Sequence, residues 1–224
     1  MGNGKSGLKK KKSYHNFENH PGYMMNDKND IYFGNKDVSN YDNWKDNMLS
    51  DEKSSIKYFT GNAFSKMNEE LYNGYEDFNE LTGDTKQNAY QLQKVLNKFE
   101  LKEPILVKRA TELEYLGVNH NNVESLEGKT LVFDGFMSSS AANRPAFDGD
   151  IWLNVRVPEG KGIGAWVGSI SSHPNESEWL FNAGSALKFG KPYKVGSGWD
   201  SHWEVDVEYV GKSSKIPTKG KKKK

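Results

Sequence analysis

Trp203-Glu204-Val205-Asp206-Val207-Glu208-Tyr209 alternates bulky apolar and acidic residues without a break. Successive side chains of a strand point to opposite faces, so a period of two predicts a half-buried β-strand. The same reading extends upstream. Ile151, Leu153, Val155 and Val157 alternate with Trp152, Asn154 and Arg156, Leu131 and Phe133 alternate with Val132 and Asp134, and Ile105-Leu106-Val107 is a short apolar run expected as a buried strand. Further strands are expected over 165–170, 179–181 and 186–189. The turns Gly160-Lys161-Gly162-Ile163-Gly164 and Gly196-Ser197-Gly198 separate strands. Neither opens a helix, so neither is a glycine loop of the dinucleotide-fold type.

Before Ile105 the period changes. Ala63, Phe64, Met67 and Leu71 have helical spacing, with an end expected at Gly74. A second helix is expected to open at Asp84 and to bury Ala89, Leu92, Val95, Leu96 and Phe99 before Pro104 stops it. Residues 14–50 are rich in Asn, Asp, Tyr and Gly, with Ile31-Tyr32-Phe33 and Trp44 as apolar anchors, and read as an irregular arm on the core. Helices first and strands afterwards predict an α+β fold with mainly antiparallel sheets.

At 224 residues, with 35% hydrophobic and 12% aromatic content, the chain has material for one sizeable core. It has no cysteine, which excludes disulfides, a thiol nucleophile and thiolate metal sites. The five histidines at 15, 20, 120, 173 and 202 lack metal-ligand spacing, so no metal is expected. The net charge of +1 hides a segregation: residues 1–13 hold five lysines and residues 211–224 hold seven, none offset by an acid. The remaining 14–210 carry 19 basic against 30 acidic residues, net −11. The tails read as solvated basic ends, with nucleic-acid or anionic-membrane contact the minority reading and no specific nucleic acid expected. No run reaches the roughly eighteen apolar residues of a membrane span, and the N-terminus lacks the apolar stretch of a signal peptide. Met1-Gly2-Asn3-Gly4-Lys5-Ser6 fits the loose myristoylation pattern, against the plainer reading of a polar leader.

Three islands carry the chemistry, in this order: Val107-Lys108-Arg109, Phe136-Met137-Ser138-Ser139-Ser140, and Glu176-Ser177-Glu178-Trp179-Leu180. An arginine after an apolar run, serines ending a strand and two carboxylates one residue apart are the parts needed to break a glycosidic bond in a dinucleotide. The developing cation at the anomeric carbon wants a carboxylate, and phosphates want a planar guanidinium fork. Singly, each island also fits a surface ion pair, a loop or a solvated strand end; their order and spacing together are the specific signal.

That ordered set resembles the arginine-serine-glutamate class of mono-ADP-ribosyltransferases, which includes the catalytic components of clostridial iota-like binary toxins. The resemblance covers roughly residues 56–210. It is extended by Tyr58-Phe59-Thr60-Gly61 with Phe64 and Met67-Asn68, by Val157-Pro158-Glu159-Gly160 with Gly164-Ala165-Trp166, and by Gly184-Ser185-Ala186-Leu187-Lys188-Phe189. It implies the α+β ADP-ribosyltransferase fold around an NAD cleft, with NAD as substrate. It further implies Glu178 on the nicotinamide ribose, Ser138 holding that glutamate, and Arg109 on the dinucleotide phosphates. Ser140, Phe64 beside the nicotinamide, Phe147 and Arg144 complete the expected NAD-binding set. In the family, Glu at the first position of the pair goes with arginine acceptors, so Glu176 points to arginine. In an extended stretch Glu176 and Glu178 would share a face. His173, in the expected acceptor loop 171–175, is a candidate contact with the target, against the plainer reading of a solvent-facing loop residue.

Some positions depart from the family pattern. Ser139 stands where threonine is usual, Ala110 where a second arginine often follows the first, and Asp150 three residues after Phe147 where the iota-like branch has arginine. Arg144 lies on the other side of that phenylalanine, and two outcomes are open: dinucleotide affinity weaker than in relatives, or compensation by Lys108 and Arg144.

The organisation expected is a basic leader at 1–13, an arm at 14–55, a catalytic domain at 56–210 and a basic tail at 211–224. The function expected is NAD-dependent transfer of ADP-ribose to an arginine of a target protein. The alternatives are a NAD glycohydrolase or a degenerate, non-catalytic binding protein of the same fold. A separate delivery component, and action of a secreted or phage-borne effector in the cytosol of a target cell, complete the expectation. Asn175-Glu176-Ser177 is a formal glycosylation acceptor, which a glycan-free route of maturation would leave bare.

Overall fold

The computed structural model describes residues 35–72, 81, 83–142, 144–198 and 201–213. Helices α1 (Asn35–Asp46), α2 (Ser50–Tyr58), α3 (Phe64–Tyr72) and α4 (Gly83–Lys98) precede the strands, and a π-type turn, Phe59–Ala63, links α2 to α3. The strands are β1 (Glu100–Leu101), β2 (Ile105–Thr111), β3 (Thr130–Phe133), β4 (Met137–Ser140), β5 (Ile151–Val157), β6 (Gly160–Lys161), β7 (Gly164–Trp166), β8 (Glu178–Phe181), β9 (Ser185–Phe189), β10 (Tyr193–Val195) and β11 (His202–Lys212). The α+β reading holds. The nine-stranded sheet has the order β3-β9-β11-β5-β2-β4-β8-β7, with β10 also on β11. Its pairings are antiparallel except β5 with β11, which run parallel from Ile151 opposite Trp203 to Arg156 opposite Glu208. β1 and β6 form a separate antiparallel pair.

Alternation does what the sequence predicts in the central strands. Ile151, Leu153, Val155 and Val157 are buried, and so are Val205 and Val207 of the neighbouring strand. α4 buries Ala89, Leu92, Val95 and Leu96, and starts within a residue of the expected Asp84. An acid in the first turn and Lys98 in the last suit the helix dipole.

Two expectations are corrected. The segment read as irregular is helical over Asn35–Asp46, and α2 begins at Ser50. Its stripe is narrow, Tyr41, Trp44 and Met48 at helical spacing, and the asparagines and aspartates between them mask it. Ile31 to Phe33, the Gly74 helix end, the lysine leader 1–13 and the lysine tail beyond Ser213 lie outside the described residues. The strand expected over 165–170 stops at Trp166, because the chain turns: the Ile170 and Ser171 amides both donate to the Val167 carbonyl, at 2.8 and 2.7 Å.

A chain of aromatic contacts couples α1 to the end of the sheet. Tyr41 packs on Trp166 at 4.8 Å between centroids, Trp44 on Phe99 at 5.1 Å, and Phe99 on Trp179 at 6.0 Å. The Trp44 indole N–H donates to the Val95 carbonyl at 3.0 Å, so its polar edge is satisfied inside the core. Trp179, fully buried, thereby fixes β8, the strand that begins with Glu178.

Glu52 ties α2 to α4. Its buried carboxylate faces Lys98 Nζ at 2.5 Å and Lys94 Nζ at 3.4 Å and accepts the Leu49 amide at 3.2 Å. Burial pushes its pKa up, but the Lys98 and Leu49 hydrogen bonds and the lysine charges outweigh this and hold it below the ordinary 4.5. A carboxylate depressed in the fold stabilises above its unfolded pKa, and that stabilisation is lost as pH falls through the folded value. Glu52→Gln should therefore cost about 2 kcal/mol at neutral pH, the scale of charge-assisted hydrogen bonds, and should flatten the acid limb of the stability profile. An unchanged urea midpoint at pH 7 would remove Glu52 from the account of stability.

Candidate active site

The site lies where the sheet opens. β2 and β5 pair along their whole length, from Ile105 opposite Val157 to Thr111 opposite Ile151. β2 and β4 share one register pair, Lys108 opposite Ser140. β4 then pairs fully with β8, placing Ser140 opposite Glu178 and Ser138 opposite Leu180. That chain of registers brings Arg109, the serines and Glu178 together although 69 positions separate the arginine from the glutamate.

One cleft is lined by Lys108, Arg109, Ser138, Ser139, Ser140, Phe147, Glu176 and Glu178, with Ala110 and Ala146. Of the residues expected from sequence, Arg109, Ser138, Ser140, Phe147, Glu176 and Glu178 meet there. Phe64, Arg144 and His173 do not line it; all three are exposed. Phe147 is 68% exposed, an aromatic ring held at the mouth with little else covering it.

Glu178 is the most constrained group. It is 4% exposed, and Ser138 Oγ donates to its Oε1 at 2.7 Å while Ser171 Oγ donates to its Oε2 at 3.2 Å. Burial pushes its pKa up and the neighbouring Glu176 adds to the rise, against the two serine hydrogen bonds and His173, which pull it down. The net shift is upward, so the carboxylate is held in an environment that favours its neutralisation and gains from a nearby cation.

Glu176 arrives by a different geometry from the one expected. It is not in an extended stretch: Pro174–Glu176 forms a 3-10 turn, and Ser177 takes the left-handed conformation at φ 50°, ψ 42°. Ser177 is the one non-glycine residue with positive φ among the described residues. Two residues out of a strand are brought to one cleft by this reversal rather than by strand alternation. The turn is held at its end: the Ala141 amide donates to the Ser177 carbonyl at 2.8 Å, and Ser140 Oγ donates to the Glu176 carbonyl at 3.2 Å.

Arg109 is fixed by the same strand. Its Nη1 donates to the Ser138 carbonyl at 2.5 Å, so one residue, Ser138, orients both the guanidinium through its backbone and Glu178 through its hydroxyl. Arg109 is half-buried; desolvation of its guanidinium lowers the pKa against the pull of Tyr72, and its buried Nε has no hydrogen-bond partner among the described residues. A buried N–H without an acceptor fits an anionic ligand and is costly without one.

Asn68 and Ser171, to which the sequence assigns no individual role, are tied to Phe136 and to Glu178 of the cleft, respectively. The Asn68 amide clamps one backbone residue from both sides: Nδ2 donates to the Phe136 carbonyl at 2.9 Å, and the Phe136 amide donates to Oδ1 at 3.0 Å. Gly135 makes room for this, since a Cβ there would fall 2.5 Å from Asn68 Oδ1 and 3.0 Å from the Tyr72 ring. α3 thus sets the start of β4, two residues before Ser138. Asp150, where an arginine was expected by resemblance, lies outside the cleft lining and faces His120 Nε2 at 3.7 Å and the Leu113 amide at 3.4 Å. Its charge raises the Glu112 carboxyl, with which it shares a hydrogen bond. Among the described residues no group of three or more His, Asp or Glu is placed to hold a metal ion, and no helix is long and apolar enough to cross a membrane.

Comparison with known proteins bears on the family and the fold. The family model described as ADP-ribosyltransferase exoenzyme matches residues 33–211. An NAD(+)–arginine ADP-ribosyltransferase of Enterococcus faecalis is 30% identical over 158 residues, 67% of this chain and 31% of that protein, so the chain spans about a third of that relative's length. Among solved structures, Plx2a, an ADP-ribosyltransferase toxin from Paenibacillus larvae, superposes with a TM-score of 0.68 at 22% identity, covering 79% of this chain and 94% of its own. C3stau2 from S. aureus, solved with NAD, gives a TM-score of 0.65 at 17% identity, covering 83% of this chain and 100% of its own. At these identities the two structures speak for the fold.

Proposed function

The chain belongs to the ADP-ribosyltransferase exoenzyme family, and we propose that it transfers ADP-ribose from NAD to an arginine side chain of a target protein, releasing nicotinamide. The observation that carries this reading is the buried Glu178, held by Ser138 and Ser171 in one cleft with Glu176 and Arg109. The arginine-specific relative supports the choice of acceptor.

In this reading the C–N bond between nicotinamide and ribose breaks, and nicotinamide leaves with the bonding electrons. Positive charge develops on the anomeric carbon and its ring oxygen. Glu178, already short of compensation in its buried setting, stabilises that charge and takes the ribose hydroxyl as hydrogen-bond partner. Arg109, with an unused N–H, and the adjacent Lys108 hold the phosphates. Ser138 keeps both in place. Glu176 orients the incoming guanidinium and takes the proton that the attacking nitrogen loses as the new C–N bond forms. A free guanidinium keeps its proton to a pKa above about 12, so a carboxylate acting as the bond forms is needed. Asn68 acts through β4 as a positioning residue, and residues 56–210 remain the proposed catalytic span.

The test is a paired assay. With NAD and a small guanidino compound, mass spectrometry should find one ADP-ribose on the guanidino group for most nicotinamide released. Nicotinamide release at the same rate with no adduct would make the protein a glycohydrolase, and no release at all would make it a non-catalytic member of the fold.

A further inference from the structure

We infer that the π-type turn between α2 and α3 holds the loop that carries Glu176, through Thr60 and Ser172, and so sets transfer to the acceptor separately from cleavage of NAD. The inference rests on the function proposed above and assigns a task to residues that are not among those lining the cleft.

Glu178 and Glu176 are anchored by different parts of the molecule. Glu178 belongs to β8, locked by its register with Ser140 and by two hydroxyls. Glu176 belongs to the loop that leaves the turn at Ser171 and returns at Ser177. At the Ser177 end the loop is fixed to β4 and the residue after it. At the Ser171 end it is fixed to the helices. The Ser172 amide donates to Thr60 Oγ1 at 2.9 Å, and Ser172 Oγ donates to the Lys57 carbonyl at 3.0 Å. These two bonds join segments more than 110 positions apart.

The helix is built to receive them. Lys57 lies in the last turn of α2, just before the π-type turn, and its carbonyl takes the Ser172 hydroxyl. Thr60 is 7% exposed, so its hydroxyl accepts the loop amide away from competing water. At Gly61 the backbone leaves helical geometry, with φ −88° and ψ −124°, and the position of its absent Cβ lies 3.5 Å from Ser172 Oγ. Interruptions of this π type inside a helix are frequent at functional sites. Here the interruption faces the loop bearing the second carboxylate. Two bonds inside the loop, from the His173 amide to Ser171 Oγ at 3.0 Å and from the Glu176 amide to the His173 carbonyl at 3.1 Å, carry the anchor on to Glu176.

If the tether is released, Glu178 keeps its strand and its hydroxyl partners, while the turn carrying Glu176 loses one of its two attachments. A loss of orientation at the acceptor then lowers transfer and leaves hydrolysis nearly intact. Thr60→Val keeps the shape and removes the acceptor oxygen; Thr60→Ser restores that oxygen; Ser172→Ala removes the bond to Lys57. We expect the ratio of guanidino transfer to NAD hydrolysis to fall about tenfold in Thr60→Val and in the double variant with Ser172→Ala, through a raised KM for the guanidino compound with KM for NAD unchanged. Thr60→Ser should return the ratio to within about twofold of the parent. Amide hydrogen exchange supplies an arm that needs no activity. Exchange over 172–176 should accelerate about tenfold or more in Thr60→Val and recover in Thr60→Ser, while 178–181 stay protected. Unchanged exchange over 172–176 would overturn the tether. Accelerated exchange with an unchanged ratio, or an equal loss of transfer and hydrolysis, would overturn its role in transfer. A parent that releases nicotinamide and never modifies a guanidino group would instead overturn the acceptor assignment, and the exchange arm would still decide whether the tether exists.

Discussion

Glu178→Gln abolishes nicotinamide release, by a hundredfold or more, and leaves the protein melting no lower than the parent at neutral pH. The first half follows from electrostatics. The amide keeps the shape and can still accept from Ser138, 2.7 Å away in the parent, but it carries no charge to meet the developing cation. Removing one preorganised partner of that kind costs about a hundredfold to a thousandfold. The second half follows from the direction of the pKa shift. Burial raises Glu178 above its ordinary 4.5, so between that value and the folded pKa the native state binds a proton that the unfolded chain does not. Stability then falls as pH rises through that window and stays reduced above it. Once ionised, the carboxylate is therefore a net cost to the fold, and glutamine relieves it. The same shift sets the acid limb of activity: nicotinamide release should fall as pH drops through a pKa above the ordinary carboxylate range. Activity within a few-fold of the parent, or a melting point several degrees lower, would separate Glu178 from the chemistry assigned to it.

The parts of this site that sequence reveals are those fixed by strand register. Arg109, Ser138 and Glu178 each sit at a recognisable point of an apolar or alternating run, and the ladder from Lys108 to Ser140 to Glu178 carries them to one place. The α+β class was legible for the same reason, since the period changes from 3.6 to 2 at Ile105. What escaped was set by geometry that has no period. α1 hides the buried Tyr41 and Trp44 among polar residues, and their burial is decided by Trp166 and Phe99, more than 50 positions away. Asn68 shows its role only when Gly135 lets the two backbones approach. Ser171 reads as the first residue of a loop after a strand over 165–170, and its place is set only when the Val167 carbonyl collects the Ile170 and Ser171 amides. The pair Glu176 and Glu178 is the instructive case: they reach one cleft, as expected, but through a left-handed serine and not through an extended stretch.

That left-handed serine shapes the second large effect. Glu176→Gln should reduce transfer to a guanidino acceptor by a hundredfold or more while NAD hydrolysis stays within a few-fold of the parent. Ser177 is fully buried at φ 50°, a conformation that costs an L-residue about 1 kcal/mol, and the surrounding bonds from Ala141 and Ser140 hold it there. The strain is spent on turning Glu176 away from the strand direction and into the cleft, where it stands beside Glu178 without taking over its partners. Ser138 and Ser171 both donate to Glu178, so the ribose side of the chemistry is complete without Glu176. Glu176 also contributes to the raised pKa of Glu178, so its neutralisation should shift the acid limb of hydrolysis to lower pH. A glutamine there keeps a hydrogen-bonding side chain of the same length, yet it can neither balance a guanidinium charge nor accept the proton released as the new bond forms. Two readouts on one variant thus separate the roles: the transfer rate falls, and the hydrolysis profile persists with its acid limb displaced. Equal loss of both reactions would show that the two carboxylates act as one unit. Transfer that survives at the parental rate would place the acceptor base elsewhere in the cleft.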